Sequence, residues 1–137
     1  MSRRVAREDA FKIIFQFPFR ELVPEDALCT YLENEDRDEV DGKYVRDIIT
    51  GVELHMADIS EKIEKYSRGW KVSRISRITL ALLRLALYEM YYMDDIPAAV
   101  TINEVVELAK KYEGVKSGRF INGILASAVK ELEEGKS

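Results

Sequence analysis

Residues 78–93 read ITLALLRLALYEMYYM, and a helix built from them is apolar on nearly every side. A helix at a protein surface carries one apolar stripe, whereas a helix that is apolar all round is buried on several sides. The run is too short for a membrane span, and it contains an arginine and a glutamate. We therefore predict a central, buried helix that starts at Ser73 or Arg74 and ends at Met93, and we expect no membrane insertion.

Apolar residues recur at helical spacing on both sides of this stretch. A first helix is predicted from about Arg3 to Phe17, and Pro18 ends it because proline cannot continue a helix. Further helices are predicted over residues 24–32, 45–66, 101–112 and from residue 117 toward the C-terminus.

Polar residues and glycines mark the expected helix ends. Asp41 is placed to cap the longest helix, and Gly69 is placed to break it. The sequence Thr-Ile-Asn-Glu at residues 101–104 has the pattern of a capping box, and Ser117 is a candidate cap for the last helix. No segment requires a strand. Residues 1–137 therefore predict a single all-α domain, a compact bundle of six or seven helices.

Residues that carry out chemistry are scarce. The chain has one histidine, His55, and one cysteine, Cys29, so it offers neither a set of metal ligands nor a nucleophile with a base beside it. It also lacks the glycine-rich loops that hold phosphates or dinucleotides. We expect a protein that is not an enzyme, with no catalytic residue, metal or cofactor. A lone cysteine and the absence of an apolar leader favour the reducing cytoplasm.

Charge is unevenly distributed along the chain, whose net charge is −4. Residues 1–20 carry five basic and two acidic side chains, whereas residues 21–41 carry one basic and nine acidic ones. The acidic total excludes a globally basic nucleic-acid binder, but it leaves room for a local basic surface.

The first helix offers one candidate RNA surface. With Ala6 taken as the centre of the buried stripe, Arg4, Arg7, Phe11 and Phe15 lie about 100–180° away from it. Guanidinium groups neutralise phosphates and flat rings stack on unpaired bases, so this mixture suits single-stranded RNA. The alternative is that both rings are core residues of a helix that is buried on two sides.

The start of the last helix offers a second candidate surface. Lys116, Ser117, Arg119 and Phe120 lie where free backbone N–H groups and the positive end of the helix dipole attract a phosphate. The alternative is an ordinary capped helix start with Phe120 in the core.

Characteristic segments follow one another along nearly the whole chain. They are residues 2–8 (SRRVARE), 78–89 (ITLALLRLALYE), 95–97 (DIP), 100–112 (VTINEVVELAKKY) and 120–125 (FINGIL). In this order they resemble the successive motifs of the bacterial NusB family, and the Ile-Asn-Glu and Phe-Ile-Asn-Gly segments are the most specific of them.

The resemblance implies two stacked three-helix bundles and a non-catalytic antitermination factor that binds the boxA element of nascent ribosomal RNA. It also implies two protein partners: NusE, a small-subunit ribosomal protein, and the RNA polymerase elongation complex with the other Nus factors. The family's RNA surface corresponds here to Arg3, Arg4, Arg7, Phe15, Ser117, Arg119 and Phe120. Geometry adds Phe11 and Lys116, the latter at a position that is often acidic or an amide in relatives.

Contact with NusE is expected at the start of the central helix, at Arg77, Thr79 and Leu80. Many relatives have an acidic residue in place of Thr79, so the contact is expected to be weaker or differently made here. Leu80 lies on a second apolar face of the helix, which either packs on the other bundle or is partly exposed to NusE. The rival interpretation of the whole chain is a purely protein-binding helical module without RNA affinity. The sequence also leaves a homodimer of the free protein open.

Overall fold

The computed structural model describes residues 3–16, 39–68 and 71–135, and every regular element within these ranges is helical. In chain order the elements are α1 (Arg3–Phe15), α2 (Glu39–Leu54), α3 (Met56–Tyr66), a 3-10 turn (Val72–Arg74), α4 (Arg77–Tyr92), α5 (Ala98–Tyr112) and α6 (Val115–Gly135). The prediction of an all-α fold is confirmed. The predictions for residues 24–32, Phe17, Pro18, Cys29 and Gly69 fall outside the described ranges. None of the described helices is long and apolar enough to cross a membrane.

Helix α4 is the centre of the fold, as its sequence predicts. It contacts each of the other five helices. The α1 and α2 helices also contact each other, and α5 and α6 pair closely on α4. Burial on several sides explains why the middle of α4 has no polar face. The α4 residues without any exposed surface are Leu82, Leu83, Leu85, Ala86, Leu87 and Glu89.

The single helix predicted over residues 45–66 is wrong, because the structure has two helices there, α2 and α3. His55 separates them with a φ of −104° and a ψ of 20°, and its ring stacks on Tyr92 at a centroid distance of 4.1 Å. A break of one residue leaves the three- and four-residue spacing of apolar positions almost intact, so the pattern does not reveal it. Asp41, the predicted cap, lies inside α2, which begins at Glu39.

The caps predicted at Thr101 and Ser117 are also wrong. Helix α5 begins directly after Pro97, and α6 begins directly after Gly114, whose φ of 112° suits glycine. Thr101 and Ser117 therefore lie in the first turns of their helices. Their hydroxyl groups make tertiary contacts with α4 instead of capping.

Candidate nucleic-acid interface

Helix α1 is buried over a wider face than its sequence suggests. Ala6, Ala10 and Ile14 are fully buried, and Arg7 and Phe11 are nearly so. The buried face is therefore centred closer to Ala10 and Ile14 than to Ala6, because α2, α4 and α5 all contribute side chains against α1. The expectation that Arg7 and Phe11 are exposed is wrong.

Arg7 forms a buried ion pair with Glu89 of α4. Its Nε donates to Glu89 Oε2 at 2.7 Å and its Nη2 donates to Oε1 at 3.0 Å, and the two side chains are 2% and 0% exposed. Tyr44 of α2 and Thr101 of α5 donate further hydrogen bonds to the same carboxylate. Burial and the charge of Glu89 raise the pKa of the Tyr44 phenol, which therefore keeps its proton and acts as a donor. One carboxylate thus joins four helices, and Arg7 is not accessible to a ligand.

Phe11 is a core residue, whereas Phe15 is half-buried. The ring of Phe11 lies 5.2 Å from that of Tyr112 and 6.4 Å from that of Phe15, measured between centroids. The three rings line a cleft of about 310 Å³ together with Ile78. The guanidinium of Arg77 lies 4.8 Å from the centroid of the Phe15 ring. Of the two α1 rings predicted to stack on bases, only Phe15 is accessible.

The accessible arginines of α1 lie at its N-terminal end. The side chain of Arg4 is 73% exposed, and its Nε donates to the two carboxylate oxygens of Glu104 at 3.0 and 3.1 Å. Arg3 is half-buried, with its guanidinium 4.4 Å from the centroid of the Tyr44 ring. Arg3 and Phe15 are separated by roughly 18 Å along the helix axis, at 1.5 Å per residue.

The start of α6 lies beside the start of α4. The hydroxyl oxygens of Ser117 and Thr79 are 2.7 Å apart. Glu113 accepts hydrogen bonds from Ser76 at 2.5 and 2.7 Å and from Thr79 at 3.2 Å. A cleft of about 290 Å³ is lined by Arg74, Ile75, Ser76, Thr79, Glu113, Lys116, Ser117 and Phe120. The structure therefore brings most of the second predicted group together at one cleft.

The first predicted group extends along α1, and the second lies near the C-terminal end of that helix. Phe15 is close to the α6 group, because Arg77, at the start of α4, covers its ring and Ser117 contacts the same end of α4. Lys116 and Arg119 are exposed, and Phe120 is half-buried. A single strand that lay along α1 would therefore meet cations at both ends and an aromatic ring at the α6 end.

Comparison with known proteins gives the family of the chain. A family model described as the NusB family matches residues 4–130. The chain belongs to the NusB family. A relative from Acetivibrio thermocellus, named transcription antitermination protein NusB, is 50% identical over 130 residues, which are 95% of this chain and 90% of the relative.

Solved structures of NusB share this fold. NusB from T. maritima is 36% identical and matches with a TM-score of 0.88, over 96% of this chain and 92% of that one. A chain in a crystal structure of the antitermination factors NusB and NusE in complex with double-stranded RNA is 24% identical. It matches with a TM-score of 0.84 over 94% of this chain and 96% of that one, and this likeness shows the fold alone.

Arg77, Thr79 and Leu80 were expected to contact NusE, but two of these three residues are buried. Leu80 is 8% exposed and Thr79 is 4% exposed. The expectation that Leu80 is accessible is therefore wrong, and the alternative that this face of α4 packs inside the protein is correct. Arg77 is the only one of the three that is exposed.

Sequence reasoning missed the carboxylates that organise this NusB surface. Glu89 holds Arg7, and Glu104 holds Arg4. The sequence did contain a signal for Glu89, because a charged residue in a buried helix requires a partner of opposite charge. Within the described residues no group of histidine, cysteine, aspartate and glutamate side chains is arranged to hold a metal ion.

Proposed function

We propose that this chain is a non-catalytic, RNA-binding transcription antitermination factor that binds the boxA element of nascent ribosomal RNA together with NusE. The name of the 50% identical relative supports the role in antitermination. The observation that carries RNA binding is the arrangement of cations at the two ends of α1 with accessible rings at the α6 end, in a chain whose net charge is −4.

The proposed RNA surface differs from the one expected from sequence. Arg7 and Phe11 are left out as contacts, because both are buried, and they support the surface from below. The proposed contacts are Arg3, Arg4, Phe15, Lys116, Ser117, Arg119 and Phe120. The cations neutralise phosphates, the rings stack on bases, and Ser117 lies in the first turn of α6, where backbone N–H groups are free to donate.

The proposed protein partners follow from the family. NusE is proposed to contact the exposed Arg77 at the start of α4. The pair would then act in the cytoplasm on the RNA polymerase elongation complex with the other Nus factors. A homodimer of the free chain stays a prediction from the sequence.

Binding of a boxA RNA is expected to weaken as salt increases. For a single strand, the logarithm of affinity falls by roughly 0.7 per phosphate contact for each tenfold rise in salt, so contacts by the three arginines give a slope near −2, and a further contact by Lys116 brings it to about −3. Filter binding at a series of salt concentrations, with and without purified NusE, measures this slope. Arg119→Ala should make the slope shallower by about 0.7, whereas the exposed Lys130 near the end of α6 provides a control, Lys130→Ala, with no change.

The rival function, a protein-binding module without RNA affinity, predicts the opposite result. Under that interpretation neither boxA RNA nor a scrambled RNA binds at any salt concentration, alone or with NusE. That outcome would remove the proposed function.

The rings and the cations should contribute differently to recognition. Phe15→Ala and Phe120→Ala are each expected to cost about 1–3 kcal/mol on boxA RNA. The cost should be smaller on a scrambled RNA, because specific recognition combines stacking with hydrogen bonds to base edges that a scrambled sequence does not match. Arg119→Ala should weaken both RNAs alike, because a phosphate contact carries no sequence information. Titrations of variants whose fold is verified by circular dichroism measure the difference. An equal loss on both RNAs for the two ring variants would show that the rings do not discriminate between bases.

A further inference from the structure

Two ion pairs join α1 to α5 across the space between these helices, which we call the α1–α5 groove. At one end Arg4 of α1 pairs with Glu104 of α5, with Arg4 Nε 3.0 Å from Glu104 Oε2. Two turns of α5 further on, the order of charges is reversed: Lys111 Nζ of α5 lies 2.7 Å from Glu8 Oε2 of α1. The Tyr112 hydroxyl also donates to Glu8. Each helix therefore supplies one cation and one carboxylate to the same groove.

In both pairs the cation is more exposed to solvent than the carboxylate. The Arg4 and Lys111 side chains are 73% and 60% exposed, whereas both glutamates are 19% exposed. The cations are therefore open to a second acceptor, while the carboxylates lie deeper. Hydrogen bonds from Lys111 and Tyr112 lower the pKa of Glu8, which keeps its carboxylate charged near neutral pH.

The groove lies on the path that the proposed function gives to RNA. Arg4 belongs to the proposed surface at one end of α1, and Tyr112 lines the same 310 Å³ cleft as Phe15 at the other end. Lys111 lies directly beside this cleft, 5.3 Å from the centroid of the Tyr112 ring. A phosphate group is an acceptor of the same kind as a carboxylate. Exposed ion pairs contribute little to stability, so a phosphate can replace a carboxylate as the partner of an exposed cation at little cost.

We infer that Lys111 is a further phosphate-binding residue of this surface, and that Glu8 and Glu104 are the carboxylates that RNA must displace from Lys111 and Arg4. This inference rests on the proposed RNA-binding function. It makes the two glutamates internal competitors of RNA, which limit its affinity while no RNA is bound.

The test compares charge-matched variants in binding a labelled single-stranded boxA RNA, in the presence of NusE. Glu8→Gln and Glu104→Gln should each tighten binding about twofold to fivefold, the size of one partly exposed ion pair. Lys111→Ala should weaken binding by a similar factor and make the salt slope shallower by about 0.7. The matched controls are Glu131→Gln and Lys65→Ala, because these residues form an ion pair of 2.8 Å between α6 and α3, which includes neither α1 nor α5. Both controls should change affinity less than about twofold at physiological salt.

A double variant separates competition from a general effect of charge. If Glu8 acts by occupying Lys111, the gain from Glu8→Gln should shrink in a Lys111→Ala background. An undiminished gain would mean that Glu8 only repels RNA, and it would overturn the competition. Thermal melts identify any variant that fails to fold, and Glu104→Gln then tests the same competition at the other pair.

The outcomes distinguish this inference from the function on which it rests. If the wild-type protein does not bind the RNA, both fail. If the wild type binds and Arg119→Ala weakens binding, but the groove variants behave like the controls, the inference alone is overturned.

Discussion

Replacing Arg7 by alanine is expected to lower the free energy of unfolding by about 3–5 kcal/mol, the usual cost of removing one partner of a buried ion pair. Glu89 would lose the guanidinium of Arg7 in a fully buried position, and the hydroxyl groups of Tyr44 and Thr101 would be its remaining donors among the described contacts. For a domain of this size each kcal/mol shifts the melting temperature by about 3–5 °C, so the melting temperature should fall by more than about 10 °C. Urea denaturation and a thermal melt followed by circular dichroism measure both quantities.

Arg4→Ala is the matched control for this prediction. It removes the same side chain from the same helix, but its ion pair with Glu104 is largely exposed, so the expected cost is less than about 1 kcal/mol. Arg7→Lys adds a second comparison, because lysine keeps the charge but cannot form the two parallel hydrogen bonds of the guanidinium, and it should lie between the two. Equal stability of Arg7→Ala and Arg4→Ala would show that the buried pair does not hold α1 in place.

Leu80→Asp should unfold the domain or leave it only marginally folded. Leu80 is 8% exposed and belongs to the apolar core, and a charged carboxylate at such a site costs several kcal/mol unless it is paired. The far-ultraviolet circular dichroism signal at 25 °C should drop, or the melting temperature should fall by more than about 10 °C. A folded variant with a wild-type melting temperature would mean that Leu80 faces solvent and would restore it as a candidate NusE contact.

Two further variants at this end of α4 distinguish a loss of core packing from a loss of NusE binding. Leu80→Met conserves volume and polarity and should cost less than about 1.5 kcal/mol. Arg77→Ala removes an exposed side chain and should leave stability within about 1 kcal/mol of the wild type. Under the proposed function Arg77→Ala should weaken NusE binding, and isothermal titration with purified NusE measures the change.

The central helix could be predicted from sequence because its own composition requires burial. A run such as that of α4 is apolar in every direction, so its position follows without knowledge of its neighbours. The orientation of α1 could not be predicted in the same way. Arg4 and Arg7 both lie outside the apolar stripe that the sequence centres on Ala6, and only the tertiary neighbours decide that Arg7 meets Glu89 while Arg4 faces solvent.

In the candidate site too, features set by local sequence could be predicted, whereas features set by distant neighbours could not. The group at the start of α6 could be proposed from sequence, because the charges near a helix start are local features, and the structure places Lys116, Ser117 and Phe120 at one cleft. Their contact with RNA stays a prediction. Phe11 was misplaced because its burial depends on Tyr112, which is far away in sequence. The helix break at His55 was missed because it is held by stacking on Tyr92 rather than by a local breaker residue.

The contacts of α1 also determine when this protein becomes competent during its own synthesis. Arg7 and its partner are 82 positions apart in the chain, and the two pairs of the α1–α5 groove are 100 and 103 positions apart. Contacts of such long range form late, because the loop between them must be closed first. The arginine-bearing helix leaves the ribosome before Glu89 of α4, the buried partner of Arg7, has been made. A nascent chain that stops short of α4 would therefore carry Arg3 and Arg4 without the packing that orients them and without Lys116 and Arg119 of α6.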